Sequence, residues 1–466
     1  MRGKIDTERR GYDNMIENEL LEYLEGYGVG TVSVMHTYIR EWEAWWRGKS
    51  RSFHEYLEND MSGRPVRREM FRMNMAKKIC EDWAAILLND RTVISVSDAV
   101  GEAFVRRIFD ETGFLRQANR LIERAFAVGT GAAILRINNG TVEDGALRAG
   151  ERTSLSFEFV DAAHIIPLSV TNGRITEAAF VSEGIERGRE YVYLELHVRE
   201  EDGYCIRNVF LEREDGVLRE RDGGLTAGTV HTHSPYPFFT ILTPNIVNHI
   251  DEGSGMGISV FADALDCLRG VDLAFNNFCR DIKLGGKKVF LNQSLVTRDE
   301  NGNVYTPDDV AQQLFVTIGD TELTEHPMIT EHNPELRTSD NAEAVQSQLD
   351  YLSFRCGLGT HHYTFGGIEG RAKLTATQYV GERQDMLQNA VKHQKNVEEF
   401  LIGAVRILLW CAAEVFLLPT DTGAAIGVTF DDSYFTDTDS QRSRDLEEVR
   451  EGILTVEEYR RKWIEV

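Results

Sequence analysis

A few short stretches of the chain carry residue types that do phosphate or metal chemistry. Gly48-Lys49-Ser50 has the ending of a phosphate-binding loop. Such a loop needs a glycine five positions before the first of these residues, and that position is Glu43, so the cradle of backbone N–H groups is missing. Gly253-Ser254-Gly255-Met256-Gly257 precedes a helical pattern, where free N–H groups hold anions. It follows a loop rather than a strand, so a hinge is expected. His231-x-His233 and the adjacent His361-His362 offer imidazoles. No acidic or thiol partner sits at ligand spacing beside them, and they read as loop histidines. Asp431-Asp432 and Asp437 with Asp439 suit a hard cation, but such residues more often cap helices and solvate loops. Cys80, Cys205, Cys267, Cys279, Cys356 and Cys411 form no metal knuckle and fit the reduced, buried thiols of a cytoplasmic protein. The carboxylates form no recognisable acid/base pair. The expectation is a non-enzymatic chain with no catalytic residue, no metal ligand and no cofactor.

The elements that would hold these residues follow from periodicity. Residues 1 to about 50 look helical, with Trp42, Trp45 and Trp46 suited to core or subunit packing. Residues 68–90 predict an amphipathic helix with Met75, Ile79, Trp83, Ile86 and Leu87 on one face. Arg64, Arg67, Arg68, Arg72, Lys77 and Lys78 make this region basic, as an ion-paired solvated face or a DNA contact would be. A short strand and a second helical region, from about Gly101 to Val128, come next. Residues 131–215 alternate with period two around turn formers at Asn138-Asn139-Gly140, Thr171-Asn172-Gly173 and Glu201-Asp202-Gly203, which predicts an antiparallel sheet.

Residues 235–259 read as loop. Ile258, Phe261, Leu265, Leu268, Val271, Phe275, Phe278 and Ile282 then step by three or four, opposite Asp266, Arg269, Asn276, Arg280 and Lys283. This predicts one helix of about 27 residues, about 40 Å long. Residues 287–336 form a compact insertion of short strands with a small helix at 307–314. A helix at about 339–355 leads into the glycine-rich run GLGTHHYTFGGIEGRAK. The longest helix spans about Thr375 to Leu418, about 65 Å, with a capping box at Thr375 and Gln378 and a stop at Pro419. A strand at 426–430 and two short helices follow. The fold class is α+β, mostly helical.

Lys and Arg total 51 against 75 Asp and Glu, a net charge of −24, which argues against a protein that grips nucleic acid by neutralising phosphates. The start of the chain lacks the apolar core of a secretory signal. Phe400 to Leu418 is long enough to cross a membrane, but Arg406 and Glu414 interrupt it, and it reads as a buried helix.

Taken in order, several segments resemble the portal proteins of tailed bacteriophages, in particular the branch typical of long-tailed phages of Gram-positive bacteria. MAKKICEDWAAILLND (75–90) looks like that family's early helix. GMGISVFADALDCLRGVDLAFNNFCRDIK (255–283) resembles its G-x-S-x-F opening and first stem helix, with Asp272 where the family often has an Asp. LTATQYVGERQDM (374–386) is similar to the start of its long helix, and VTFDDSYFTDTDS (428–440) with EGILTVEEY (451–459) to the strand and helices after it. The order and spacing of these motifs carry the resemblance, which covers nearly the whole chain.

The resemblance implies a ring of about twelve copies at one capsid vertex, through which double-stranded DNA passes on packaging and ejection. It implies a wing at 1–255, stem helices at 256–286 and 337–356 around a clip at 287–336, and a tunnel loop at 357–373. A long wing helix and strand at 374–435 and a short helical crown at 436–466 complete it. The implied partners are the terminase large subunit, a head–tail connector or adaptor, and the major capsid and scaffolding proteins, in the virion and, during assembly, the host cytoplasm. Thr360, His361, His362, Gly366, Gly367, Gly370, Arg371 and Lys373 would face DNA, the glycines giving mobility and Arg371 and Lys373 weak salt-screened contacts. Phe261, Leu265, Leu268, Phe275 and Phe278 would pack against neighbouring subunits, so Phe275→Asp is expected to prevent ring assembly. An acidic lumen would keep the duplex centred. The competing classes are another head–tail ring or adaptor protein and a metal-dependent nuclease.

Overall fold

The computed structural model describes residues 20, 23–24, 33–59, 63–143, 146–186, 189–214, 217–221, 228–292, 314–317, 329–365, 384–431, 445–450, 455 and 459. Helix and sheet are mixed, at 45% and 29% of the chain, so helix predominates. Among the described residues no helix is long and apolar enough to cross a membrane.

Helix α1 (Ser33–Trp46) buries Trp42 and Trp45, and a single turn α2 (Arg51–His54) follows. Strands β1 (Glu55–Asn59) and β2 (Pro65–Glu69) pair as a hairpin. Helix α3 (Met75–Leu87) is shorter than its apolar run predicts, because residues 65–69 extend as strand instead. Its predicted stripe of Met75, Ile79, Trp83, Ile86 and Leu87 is buried. Strand β3 (Val93–Val96) precedes two helices, α4 (Ala99–Thr112) and α5 (Phe114–Val128), where the periodicity reads as one region. Gly113 breaks it: at φ +61° it ends α4, donating its N–H to the Asp110 carbonyl, and begins α5. Asp98 caps α4 by accepting from Gly101 N at 2.7 Å.

The predicted single sheet divides into three among the described residues. Strand β4 (Gly131–Asn138) pairs with β7 (Ser154–Asp161), across the small hairpin of β5 (Thr141–Glu143) and β6 (Ala146–Arg148). Strands β8 (Ile165–Thr171), β9 (Arg174–Glu186), β10 (Arg189–Glu200), β11 (Gly203–Glu214) and β12 (Val217–Arg221) form an antiparallel meander, and β13 (Thr229–Ser234) also pairs with β11. Asn172 and Gly173, both at positive φ, make the predicted turn between β8 and β9. Strand β14 (Phe239–Leu242) lies inside the stretch expected to be loop and completes the sheet of β4 and β7. The GSGMG run is a packing seam. A Cβ on Gly129 would meet the Gly257 carbonyl at 2.3 Å, and Gly257 donates its N–H to Thr130 Oγ1.

Helix α6 (Leu265–Leu284) and helix α7 (Thr338–Arg355) form an antiparallel pair. The expected 27-residue helix begins only at Leu265, after a 3-10 turn, and is about 30 Å long. Between the two helices, β15 (Lys288–Asn292) pairs in parallel with β16 (Leu314–Thr317) and antiparallel with β17 (Ile329–His332). Leu314 opens a strand where the helix at 307–314 was expected to end, and 307–313 lie outside the described residues. The long helix α8 is described from Gln384 to Trp410 and continues as a π turn, Cys411–Val415. Leu417, at φ +51°, and the Leu418 N–H bonded to the Ala412 carbonyl close it one step before Pro419. Strand β18 (Ile426–Thr429) pairs with β3.

The core sits where α3, α5 and α8 meet the sheet of β4, β7 and β14. Phe114 stacks on Phe109 at 4.2 Å and lies 6.2 Å from Phe400; Trp83 lies 6.0 Å from Phe126. His393 of α8 is edge-on to both Trp83 and Phe126 at 4.9 Å. Burial pushes its imidazole down to about 3, so it stays neutral and accepts the Asn245 N–H at Nδ1.

Candidate functional site

The helix pair and the segment after it bring together most of the predicted site residues that are described. Val345, Leu349 and Leu352 of α7 are buried, as are Leu268 and Val271 of α6. A Cβ on Gly270 would come within 2.4 Å of Gln348 Oε1, so a side chain there would displace the Gln348 amide. At the far end, Asp281 accepts from Arg337 at 3.1 Å and Asn341 at 2.9 Å. The Arg337 hydrogen bond holds the Asp281 carboxyl below the usual range.

Helix α6 is clamped by two buried polar residues, of which Asn276 was read as lying opposite the apolar stripe. Asp272 and Asn276 are each 4% exposed. Asp272 Oδ2 lies 2.8 Å from His54 Nε2, its Oδ1 accepts the Met73 N–H at 2.8 Å, and His54 Nδ1 faces the Ser50 carbonyl at 2.9 Å. Asn276 accepts the Phe71 N–H. These bonds fasten α6 to the chain at 50–74, and those from Phe71 and Met73 satisfy N–H groups that lie outside strands and helices. Gly48-Lys49-Ser50 therefore belongs to this packing. Its neighbouring basic run is ion-paired: Arg67 with Glu55, Arg68 with Glu58, Arg72 with Glu69, Lys77 with Glu81 and Glu123, and Lys78 with Asp82.

The proposed subunit-packing set is corrected at two positions. Phe261 is 0% and Leu268 2% exposed, both buried within the chain's own core, so neither is available to a neighbour. Leu265 is half-buried. Phe275 and Phe278 are also half-buried, with Phe365 edge-on to them at 6.2 and 5.5 Å. The large apolar residues that the pair leaves exposed are different ones: Leu273, Ile282 and Leu284 on α6, Leu336 at its far end, and Tyr351 and Phe354 on α7.

After α7 the chain is pinned. Gly357 and Gly359 take positive φ, Trp83 donates to the Cys356 carbonyl, and Asn389 donates to that of Gly357. His361 Nδ1 lies 2.9 Å from Asp350, and His362 Nε2 lies 3.6 Å from Asp82. Tyr363 donates to Asp82 at 2.9 Å, and Gln346 bonds both the Tyr363 carbonyl and the Phe365 N–H. Burial pushes the Asp82 carboxyl up, but hydrogen bonds from His362, Lys78 and Tyr363 outweigh it and the net shift is down. Thr360 and His361 stay exposed. Gly366, Gly367, Gly370, Arg371 and Lys373 lie outside the described residues, as do Asp432, Asp437 and Asp439. Asp431 accepts from Asn89.

Two polar constellations were missed by sequence reasoning. In the first, Tyr193, Glu195 and His197 alternate along β10, where period two alone assigns them to solvent. Instead Glu195 and His197 are buried, because the strand is covered on both faces. Glu195 pairs with Arg136 and lies 2.6 Å from His197 Nε2. Its burial favours the neutral acid, yet His197 and Arg136 outweigh that and hold the carboxyl down at about 2. A cavity of about 290 Å³ opens beside it, lined by Arg124, Arg136, Glu158, Asp161, His164 and Tyr193 among others. Its charged groups are bonded to one another, Arg136 with Glu158 and Glu195, and Asp161 with His164 and Arg124.

The second overturns the expectation for the first histidine pair. His231 and His233 lie on β13, not in a loop, and both have acidic partners: Glu200 at 3.1 Å and Asp202 at 2.9 Å. Glu200, Cys205 and His231 place one ligand atom each within 4.8 Å of one another. The 26-residue separation of Cys205 from His231 hides a direct cross-strand pairing.

Neither a protein-family model nor a curated protein matches the chain.

Proposed function

We propose that this chain is a portal subunit of a tailed bacteriophage: one of about twelve copies in a ring at a capsid vertex that conducts double-stranded DNA. The observation that carries the reading is the antiparallel pair α6–α7. It bears a small mixed sheet between its helices and exposes Leu273, Ile282, Leu284, Leu336, Tyr351 and Phe354 along its length. Large apolar side chains spaced along a helix pair are suited to burial against a second copy. The order of elements supports the same reading: a mixed α/β half, the helix pair around its inserted sheet, a pinned turn, then a long helix returning to the core. In this reading α6 and α7 are the stem and the inserted sheet is the clip that meets the terminase large subunit and the head–tail connector. Residues 357–373 face the channel, and the surrounding capsid and scaffolding proteins hold the ring in the virion.

The net charge of −24 suits a conduit that repels phosphate and lets the duplex slide. The reading assigns no catalytic group to the chain, so the packaging motor's chemistry belongs to a partner. Sedimentation of the purified full chain, with and without duplex DNA and Mg²⁺, tests it. The expected result is a closed oligomer many times the 52.8 kDa subunit mass that leaves the DNA intact. A monomer at all concentrations, or cleavage of the DNA, contradicts it.

A further inference from the structure

We propose that Glu200, Cys205 and His231 form a zinc site on the outer part of the six-stranded sheet. The three residues share one face. Cys205 and His231 are cross-strand partners in the β11–β13 pairing, and Glu200 ends β10 immediately before the two-residue turn into β11. The ladder is irregular at Tyr204 and Cys205, the kind of bulge that re-aims a side chain.

The donors are a thiol, an imidazole and a carboxylate, the set that borderline-soft divalent cations select over calcium or magnesium. Zinc–ligand lengths of about 2.0–2.3 Å in a tetrahedron put ligand atoms about 3.3–3.8 Å apart. Here Glu200 Oε2 and His231 Nδ1 are 3.1 Å apart, and all three donor atoms fall within 4.8 Å. Closing on a metal therefore needs only shifts of an ångström or less.

The surroundings favour an ordered site. Arg207 donates to the other carboxylate oxygen of Glu200, Oε1, at 2.8 Å, leaving Oε2 directed at the imidazole. A partner one step behind a ligand fixes the ligand's orientation. The backbone is tightly held: a Cβ on Gly203 would meet His233 C at 2.6 Å, and Thr232 donates its hydroxyl to the Tyr204 carbonyl. Cys205 is 1% exposed, whereas the His231 side chain is 51% exposed. The sulfur thus closes the inner side of the site and the outer side meets solvent, which leaves the fourth position to water or an incoming donor.

On binding, the Cys205 thiol loses its proton to solvent and its sulfur joins the metal. The thiolate and the Glu200 carboxylate together balance the two charges of the cation, and His231 binds as the neutral ring through Nδ1. The fold does not depend on the metal, because the ladder already holds the three residues in place.

Competition of the tag-free, chelator-stripped full chain against a chromophoric zinc chelator tests this. One zinc per chain is expected. Glu200→Gln, at a half-buried position, and His231→Asn, at an exposed one, are expected to weaken it by more than the about 10–100-fold typical of losing a partner one step further out. Cobalt in place of zinc is expected to give the charge-transfer absorption of a thiolate ligand, lost in Cys205→Ser and kept in Cys279→Ser. Equal zinc affinity in the wild-type chain and in Glu200→Gln, or a cobalt spectrum without the thiolate band, overturns the site.

Discussion

Helix α8 and the pair α6–α7 arise from the same kind of apolar periodicity but meet different surroundings. From Met386 to Trp410, α8 buries residues on nearly every turn, including Phe400, Leu401, Ala404, Val405, Leu408 and Leu409, because strands, α3 and α4 cover it. Helix α7 buries only Val345, Leu349, Leu352 and Ser353 and leaves Tyr351 and Phe354 more than half exposed. A stripe i, i+3, i+4 marks the side of a helix that needs a partner; it does not say whether that partner is in the same chain. In α8 the chain supplies it. In α6–α7 it supplies half, and the proposal is that a second copy supplies the rest.

Four variants bear on this contrast. The largest effect on stability belongs to the covered region. Phe114→Ala, which removes a ring packed on Phe109, Phe157 and Phe400, is expected to cost about 3–5 kcal/mol, read as a lower denaturant midpoint. Asp272→Ala comes next. It strips His54 and the Met73 N–H of their acceptor at the root of α6, at about 1–3 kcal/mol for each buried donor left unpaired, and chemical denaturation again reads it.

The third effect depends on pH. The Glu195 carboxyl is held at about 2 in the folded chain against an ordinary 4.5. Its contribution is therefore fully present above about 4.5 and is lost as pH falls from there towards 2. Glu195→Gln should flatten that part of the stability–pH curve, which urea midpoints across the range measure. The smallest change in stability is expected at the uncovered face. Tyr351→Asp with Phe354→Asp should move the midpoint by only about 0.5 kcal/mol, as surface changes do, yet abolish self-assembly in sedimentation. A double variant that assembles normally removes that face from the interface.

Local signals were legible from the residues alone. The stripe at Met75, Ile79 and Trp83, the turn at Asn172-Gly173 and the helix at 338–355 each depend on contacts or dihedrals within a few residues. What escaped depends on distant pairing. Strand β14 looked like loop because its partner, β4, lies about a hundred residues earlier. Phe261 looked like a subunit contact because its stripe continues that of α6, although it sits before the helix and inside the core. Glu195 and His197 went unnoticed because alternation cannot reveal that both faces of β10 are covered. Of the candidate site, the helix pair and the turn with His361 and His362 could be read in advance. The acidic partners of those histidines, Asp350 and Asp82, could not, since they come from other helices.

The central claim is that the exposed apolar residues of α6 and α7 pack against neighbouring copies and close a ring. Negative-stain microscopy of the purified full chain tests it most directly. The account predicts annular particles with a central hole and about twelve-fold symmetry. Compact single-chain particles, under conditions where the chain is folded and concentrated, would contradict it.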